Sequence, residues 1–306
     1  MLEFEVSEAD HCRPLGSWLR LRMPSATAGY LGQLLKKGQV TVNDNQASEL
    51  QPLLPGDFIR LKESGRTRAL MKAMVQAPSV EILYEDNRVL CVNKPSGLSM
   101  HAAAEAGPET LTDLASGYLY AREQSAHPHA AEPSFKLRPV NRLDRGTSGG
   151  VILAKSSTAA GIFGKLVMEG GLGKLYLALA SGKINASGEI SAQVEGKEAL
   201  TRYRSLFSNR EVTLLALWPE TGRMHQIRQH LHHIGHPVLG DRRYGGPPLH
   251  SYPGFALHAF RTSFSHPDTG AETVIHAPLP AGFVSLVRMA TRDQYADIAG
   301  RLIALP

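Results

Sequence analysis

The stretch from Pro139 to Lys155 reads PVNRLDRGTSGGVILAK, and the fold is decided there. Gly150 to Ala154 is a short apolar run of the kind that forms a buried strand. Ahead of it lies a turn-forming segment centred on Asp144, with Arg142 and Arg145 on either side. A carboxylate in a turn that projects from a sheet stands where folds commonly place catalytic groups. Neighbouring cations favour the ionised form of a carboxylate, which makes Asp144 a candidate nucleophile. An isolated Asp in such a turn also serves simply as a cap with a surface ion pair. The rest of the chain decides between these roles.

On either side of that stretch, short β-like segments alternate with turns and a few helices. Ile82-Leu83-Tyr84 and Val89-Leu90-Cys91-Val92 predict two strands around the turn Glu85-Asp86-Asn87. Ser156-Ser157 predicts a helix cap, with the helix running through Ile162, Leu166 and Val167 to a stop at Gly170-Gly171. Leu175, Leu177 and Leu179 alternate with Tyr176 and Ala178, the period of a half-buried strand. Ile227, Leu231 and Ile234 recur at helical spacing, and Gly235 with Pro237 ends that helix. The expected class is α+β with a mixed or antiparallel sheet, occupying residues 80–306.

Residues 1–62 read as a separate small α+β unit. Leu15 and Leu19, then Leu31, Leu34 and Leu35, give helical spacing, and Gly38 closes the second helix. Gln39 to Asn43 and Phe58 to Leu61 predict strands, with turns at Asn43-Asp44-Asn45 and Pro55-Gly56-Asp57. The formal charge of this unit is close to zero. Residues 63–79 are polar and basic and are expected to be a linker or an extended connecting arm.

The 306 residues hold only two cysteines, Cys12 and Cys91, without paired or metal-ligand spacing, which suggests a reducing compartment and a cytoplasmic location. No apolar run is long enough to cross a bilayer, so no membrane association is expected. Acidic residues at Glu3, Glu5, Glu8 and Asp10 argue against a signal peptide. The net charge is +5, and arginines gather at 138, 142 and 145, at 202 and 204, and at 223, 228, 242 and 243. Such clustering is the electrostatic footprint of a nucleic-acid partner, although many basic enzymes bind only small anions.

Arg142-Leu143-Asp144-Arg145 followed by Thr147-Ser148-Gly149 resembles the signature of the RluA family of pseudouridine synthases. The likeness continues in order through Val92-Asn93-Lys94-Pro95-Ser96-Gly97-Leu98 with His101, then Lys174-Leu175-Tyr176-Leu177-Ala178. It goes on through Thr221-Gly222-Arg223-Met224-His225-Gln226-Ile227-Arg228 with Gly235 to Asp241 and Tyr244-Gly245. Leu257-His258-Ala259 and Phe264-Ser265-His266-Pro267 complete it. Residues 11–62 separately resemble an RNA-binding domain first seen in a small-subunit ribosomal protein, through Leu34-Leu35, Gly38, Val40, Val42-Asn43 and Pro55-Gly56-Asp57. Three departures stand out: Arg13-Pro14-Leu15-Gly16 replaces that domain's basic opening. Asn141 stands where many synthases have histidine, and Met224 where many have threonine.

The resemblance implies an enzyme that isomerises uridine to pseudouridine in structured RNA, ribosomal RNA of the large subunit first and transfer RNA second, acting as a monomer. Asp144 is then the catalytic nucleophile, adding to the base or to C1′ or assisting a glycal route. Tyr176 stacks on the flipped base or removes its C5 proton, unless it is a plain core tyrosine. Arg228 pairs with Asp144, unless it is a phosphate contact or a plain surface arginine. Arg142 either fills the space left by the flipped nucleotide or binds a phosphate, and Lys94, His101, Arg223 and His225 line the RNA cleft, unless Lys94 is merely a solvated cation. The isomerisation involves no redox change or external group, so no cofactor or metal is expected. The histidines at 225, 230, 232, 233 and 236 could suggest a metal, but no cysteine or carboxylate completes a set. Hydrolysis of the glycosidic bond normally takes two carboxylates, and only Asp144 sits in a strong motif, which favours isomerisation over a uridine glycosidase. A non-catalytic RNA-binding protein with the same fold is the other rival.

Overall fold

The computed structural model describes residues 1–23, 26–72, 80–101, 109–126, 136–184, 187–250 and 252–306. Two sheets organise the chain. The N-terminal one contains β1 (Leu2–Glu5), β2 (Val40–Val42), β3 (Asn45–Gln46) and β4 (Phe58–Leu61), all antiparallel in the order β1-β4-β2-β3. Helices α1 (Leu15–Arg22) and α2 (Ala28–Lys36) cover it, and Trp18, Leu19, Leu31, Leu34 and Ile59 form its core. The Thr27 side chain caps α2 by accepting from the Tyr30 amide, and Gly38 takes the left-handed conformation just beyond the helix.

This unit is docked rather than tethered. Arg13 pairs with Glu81, Ser17 donates to the same carboxylate, and Arg288 pairs with Glu8. Cys12 is buried in one hydrophobic cluster with Ile298, Leu302 and Leu305 near the C-terminus. The expected connecting arm begins as a helix, α3 (Gly65–Lys72), started by reciprocal hydrogen bonds between Ser64 and Thr67. Its remainder, 73–79, lies outside the described residues.

The second sheet has ten strands. These are β5 (Glu81–Glu85), β6 (Val89–Lys94), β7 (Arg138–Pro139), β8 (Ser148–Ala154), β9 (Gly173–Ser181), β10 (Ser187–Val194), β11 (Lys197–Ser208), β12 (Val212–Pro219), β13 (Leu257–Ser265) and β14 (Glu272–His276). The main path is β10-β11-β12-β9-β13-β8-β6-β5, with β14 on β13 and β7 on β8. Every pairing is antiparallel except β13 with β8, so the sheet is mixed. Helix α4 (Leu111–Ala126) buries Leu111, Ala115 and Leu119 over β6 and β8, while α5 (Ser157–Met168) covers the other side of that region through Phe163. The Ser156 hydroxyl caps α5, and Gly170 follows its end in the left-handed region, as the sequence predicts. Near the other end, α6 (Gln226–His233) packs Ile227 and Leu231 on the face of β9 and β12 that carries Ala178 and Leu217. The opposite face is covered by α7 (Ala281–Thr291) and α8 (Tyr295–Leu302).

The parallel contact between β13 and β8 depends on one glycine. A Cβ at Gly149 would fall 2.3 Å from the Ala259 carbonyl oxygen, and φ there is +116°. Only glycine lets the two backbones approach so closely in that conformation. Beside it, the buried His258 ring joins three segments. Its Nδ1 lies 2.9 Å from the Ser148 hydroxyl and its Nε2 lies 3.0 Å from the Ala277 carbonyl.

Two buried imidazoles make stability depend on pH. Burial pushes both His258 and His276 down to about 4, and both ring nitrogens of His276 lack a hydrogen-bond partner among the described residues. In the unfolded chain each takes up its proton near pH 6.5. The unfolded state therefore binds more protons between pH 6.5 and pH 4, and stability falls as pH is lowered through that window. Urea unfolding should show a loss on the order of 2 kcal/mol per residue between pH 7 and pH 5. His276→Leu should remove a substantial share of that slope. An unfolding midpoint equal at pH 7 and pH 5 would contradict neutral burial of the two rings.

Candidate active site

Asp144 sits at the end of the sheet, in the connection from β7 to β8. The loop is closed at its base by the buried Asn141 side chain. Its Nδ2 donates to the Gly150 carbonyl at 3.2 Å, and its Oδ1 accepts from the Ile152 amide at 2.7 Å. Asn141, where many relatives of the signature have histidine, is thus a loop-fixing residue. The Thr147 amide donates to the Asp144 carbonyl at 3.0 Å and forms the turn itself.

From below, residues 94–98 clamp the same loop. The Gly97 amide donates to the Arg145 carbonyl at 2.7 Å, Arg145 Nε returns a bond to the Gly97 carbonyl at 2.9 Å, and the Ser96 hydroxyl donates to the Gly146 carbonyl at 2.7 Å. Lys94 is fully buried. Its ammonium donates to the carbonyls of Pro95, Leu98 and Arg145 at 3.0, 2.8 and 3.2 Å. Burial pushes this amine down to about 8, against the opposing pull of Asp144. The expectation that Lys94 lines the RNA cleft is therefore corrected. With no exposed surface and three N–H groups committed to backbone, it ties the Asp144 loop to its neighbour.

The Asp144 carboxylate meets Arg228 on α6. Arg228 Nη1 donates to Asp144 Oδ2 at 2.8 Å, while Nε and Nη2 grip the two oxygens of Asp241 at 2.6 and 2.8 Å. This fork is rigid: bidentate pairing to Asp241 fixes the guanidinium plane, and the remaining nitrogen then fixes Asp144. The guanidinium also lies 4.9 Å from the Tyr244 ring centre and 4.2 Å from that of Phe255. Burial disfavours its charge, but the bonds to Asp241 and Asp144 prevail and push Arg228 up. His225 precedes α6 in the left-handed conformation, with Nε2 3.6 Å from Asp144 Oδ1 and Nδ1 3.0 Å from the Tyr244 hydroxyl. Burial, joined by Arg228 and Arg243, pushes its pKa down against Asp144 and Asp241, so the ring is neutral at pH 7.

The sequence profile described as RNA pseudouridylate synthase matches residues 88–233. An uncharacterized RNA pseudouridine synthase of Bacillus subtilis (strain 168), YhcT, is 30% identical over 94% of this chain and 96% of its own length. The chain belongs to the RluA family of RNA pseudouridine synthases. Ribosomal large subunit pseudouridine synthase C of Escherichia coli (strain K12) is 31% identical over 88% of this chain and 90% of that protein. Among solved structures, human RNA pseudouridylate synthase domain containing 4 superposes with a TM-score of 0.54 at 26% identity, covering 68% of this chain and 92% of that one. The enzyme is an isomerase acting on uridine in RNA, which cleaves N1–C1′ and forms C5–C1′ within one nucleotide.

In this synthase β9 carries Tyr176 to the Asp144 side of the sheet. Register places Tyr203, Leu217, Tyr176, Ala259, Gly149 and Lys94 in one row across six strands, and the Asp144 loop enters β8 one residue before Gly149. Burial, with Asp144 nearby, pushes the Tyr176 hydroxyl well up, so it is protonated at neutral pH. A stacking ring with a hydroxyl to hydrogen-bond is consistent with that state; a preformed phenolate base is not. Arg142 and Arg223 are exposed beside the loop and before α6, and Met224 is 54% exposed there. His101 is exposed too, and among the described residues no hydrogen bond or ion pair joins it to Asp144. Arg202 and Arg204 point to the sheet face opposite Thr201 and Tyr203, which meet α6 and its cluster, so the sequence clustering of arginines does not form one surface. His230 and His236 are engaged by Thr201 with the Ala192 carbonyl and by the Ser181 carbonyl, respectively. Sequence reasoning missed Asp241 and Tyr244 as site residues, although both lie within the segment that carried the resemblance.

Proposed function

We propose that Asp144 is the nucleophile of this pseudouridine synthase, acting on a uridine extruded from structured large-subunit ribosomal RNA. One observation carries the reading. Arg228 holds two carboxylates, but the Asp144 side chain is 25% exposed whereas Asp241 is 1% exposed. One carboxylate is thus oriented on its inner side and open on its outer side; the other is an internal counter-charge. A single accessible carboxylate suits isomerisation, since hydrolysis would call for a second one across the bond. A uridine inside a helix cannot reach Asp144, so it has to be flipped out, with its base against Tyr176. His225, Arg223 and Arg142 contact the RNA around it, and residues 1–62 form an RNA-binding-like module of a monomeric, cytoplasmic enzyme. Ribosomal RNA is the favoured substrate because relatives over most of the chain's length carry names that specify the large ribosomal subunit.

The test is tritium release from RNA labelled at uridine C5, taken from cells that lack this protein, without S-adenosylmethionine. Loss of the C5 proton accompanies C5–C1′ bond formation, so release should come from the large-subunit ribosomal RNA fraction with no free uracil. Release confined to transfer RNA would replace the substrate assignment. Salt-sensitive binding with no release from either fraction would favour a non-catalytic RNA-binding protein.

A further inference from the structure

Among the described residues, the partly buried Lys174 near the site has no hydrogen-bond or ion-pair partner. Lys174 lies on β9 two residues before Tyr176, and strand alternation puts both on the sheet face that carries the Asp144 site. Leu175 and Leu177 between and beyond them point into the opposite core. The Lys174 ammonium lies 3.7 Å from where a Cβ at Gly222 would stand, which places it under the Thr221–His225 loop that leads into α6. Among the described residues no hydrogen bond or ion pair engages it. Burial lowers its pKa. Two buried cations of the site contrast with it: Arg228 is committed to two aspartates and Lys94 to three carbonyls.

A partly buried ammonium without a counter-charge is unfavourable until an anion arrives. We propose that Lys174 binds a backbone phosphate of the substrate RNA next to the flipped uridine, a phosphate subsite that rests on the catalytic reading given above. Alternate residues of a strand are about 7 Å apart, a span comparable with the distance from a stacked base to its own backbone. A base lying on Tyr176 therefore brings a phosphate within reach of the Lys174 side chain. The absence of any group at Gly222 leaves that approach open. Desolvation raises the electrostatic value of the contact above that of a fully solvated arginine.

The experiment separates binding from chemistry. Binding of unmodified large-subunit ribosomal RNA transcript is measured in the Asp144→Asn background over a salt series, and tritium release in the Asp144 background. Lys174→Met should reduce the slope of log affinity against log salt by about 0.7–0.9, the share of one phosphate contact, and weaken binding about five- to eightfold near 0.1 M salt. KM should rise correspondingly with kcat within about twofold. Lys174→Arg should restore both, which loss of folding in the Met variant would not allow. An unchanged salt slope for Lys174→Met overturns the proposal, and so does a fall in kcat alone, which would make Lys174 a support for Tyr176. Failure of the wild-type enzyme to release tritium, with the slope change intact, would instead remove the catalytic reading and leave the phosphate subsite standing.

Discussion

Asp144→Asn is expected to abolish tritium release, by at least about 10⁴-fold, while leaving RNA affinity within a few-fold of wild type. The substitution keeps size and shape, and the Asn oxygen can still accept the Arg228 Nη1 hydrogen now given to Asp144 Oδ2. What disappears is the negative charge and the lone pair able to form a bond to the base or to C1′. The loop should survive, because its hydrogen bonds come from Asn141, Lys94, Ser96 and the backbone of residues 144–147, none of which uses the Asp144 carboxylate. Thermal unfolding should therefore stay within a few degrees of wild type. Single-turnover tritium release in the presence of saturating enzyme is the deciding measurement. Residual release above about 1% of wild type would assign the nucleophile elsewhere, and His225 would be the next group to examine, being 3.6 Å from the same carboxylate.

Much of this site is legible from residue pattern alone, and the reasons for the exceptions are physical. The turn around Asp144, the alternation of Leu175, Leu177 and Leu179, and the Ser156 cap are local signals that the tertiary structure keeps. Lys94 shows where local reading stops. A lysine in an Asn-Lys-Pro-Ser-Gly loop looks like a surface cation, and only the return of the chain at Arg145 supplies the carbonyl that buries it. Asp241 is a similar case. It follows Gly240 in an ordinary turn thirteen residues after Arg228, and the turn at the end of α6 is what brings the two together. The strands β10 and β11 carry weak hydrophobic alternation, since most β10 side chains face solvent and its place is set by pairing with β11. Helix α3 stands where composition suggested an extended arm, because Ser64 and Thr67 supply reciprocal caps that outweigh the polar, basic character of the segment.

The buried ion triad sets the second large effect. Arg228→Met should leave Asp241 as an uncompensated carboxylate with 1% exposure, and breaking a buried pair in this way costs about 3–5 kcal/mol. The same change releases Asp144 from its one strong hydrogen-bond donor among the described residues, so kcat should fall by about 10²–10³ as the proposed nucleophile loses its orientation. Stability and catalysis are lost together, and a single variant cannot separate them. The double variant Arg228→Met with Asp241→Asn does. Removing the stranded charge should recover most of the lost stability, since an amide among Tyr244, Phe255 and the introduced Met no longer has to be held ionised. Activity should remain low, because the hydrogen bond from Arg228 that orients the Asp144 carboxylate is gone. Urea unfolding and tritium release on the three proteins measure the two effects separately. If the double variant regained activity along with stability, Arg228 would be only a structural counter-ion to Asp241. If activity stays down while the fold recovers, the guanidinium holds the nucleophile directly, and Asp241 acts by holding the guanidinium.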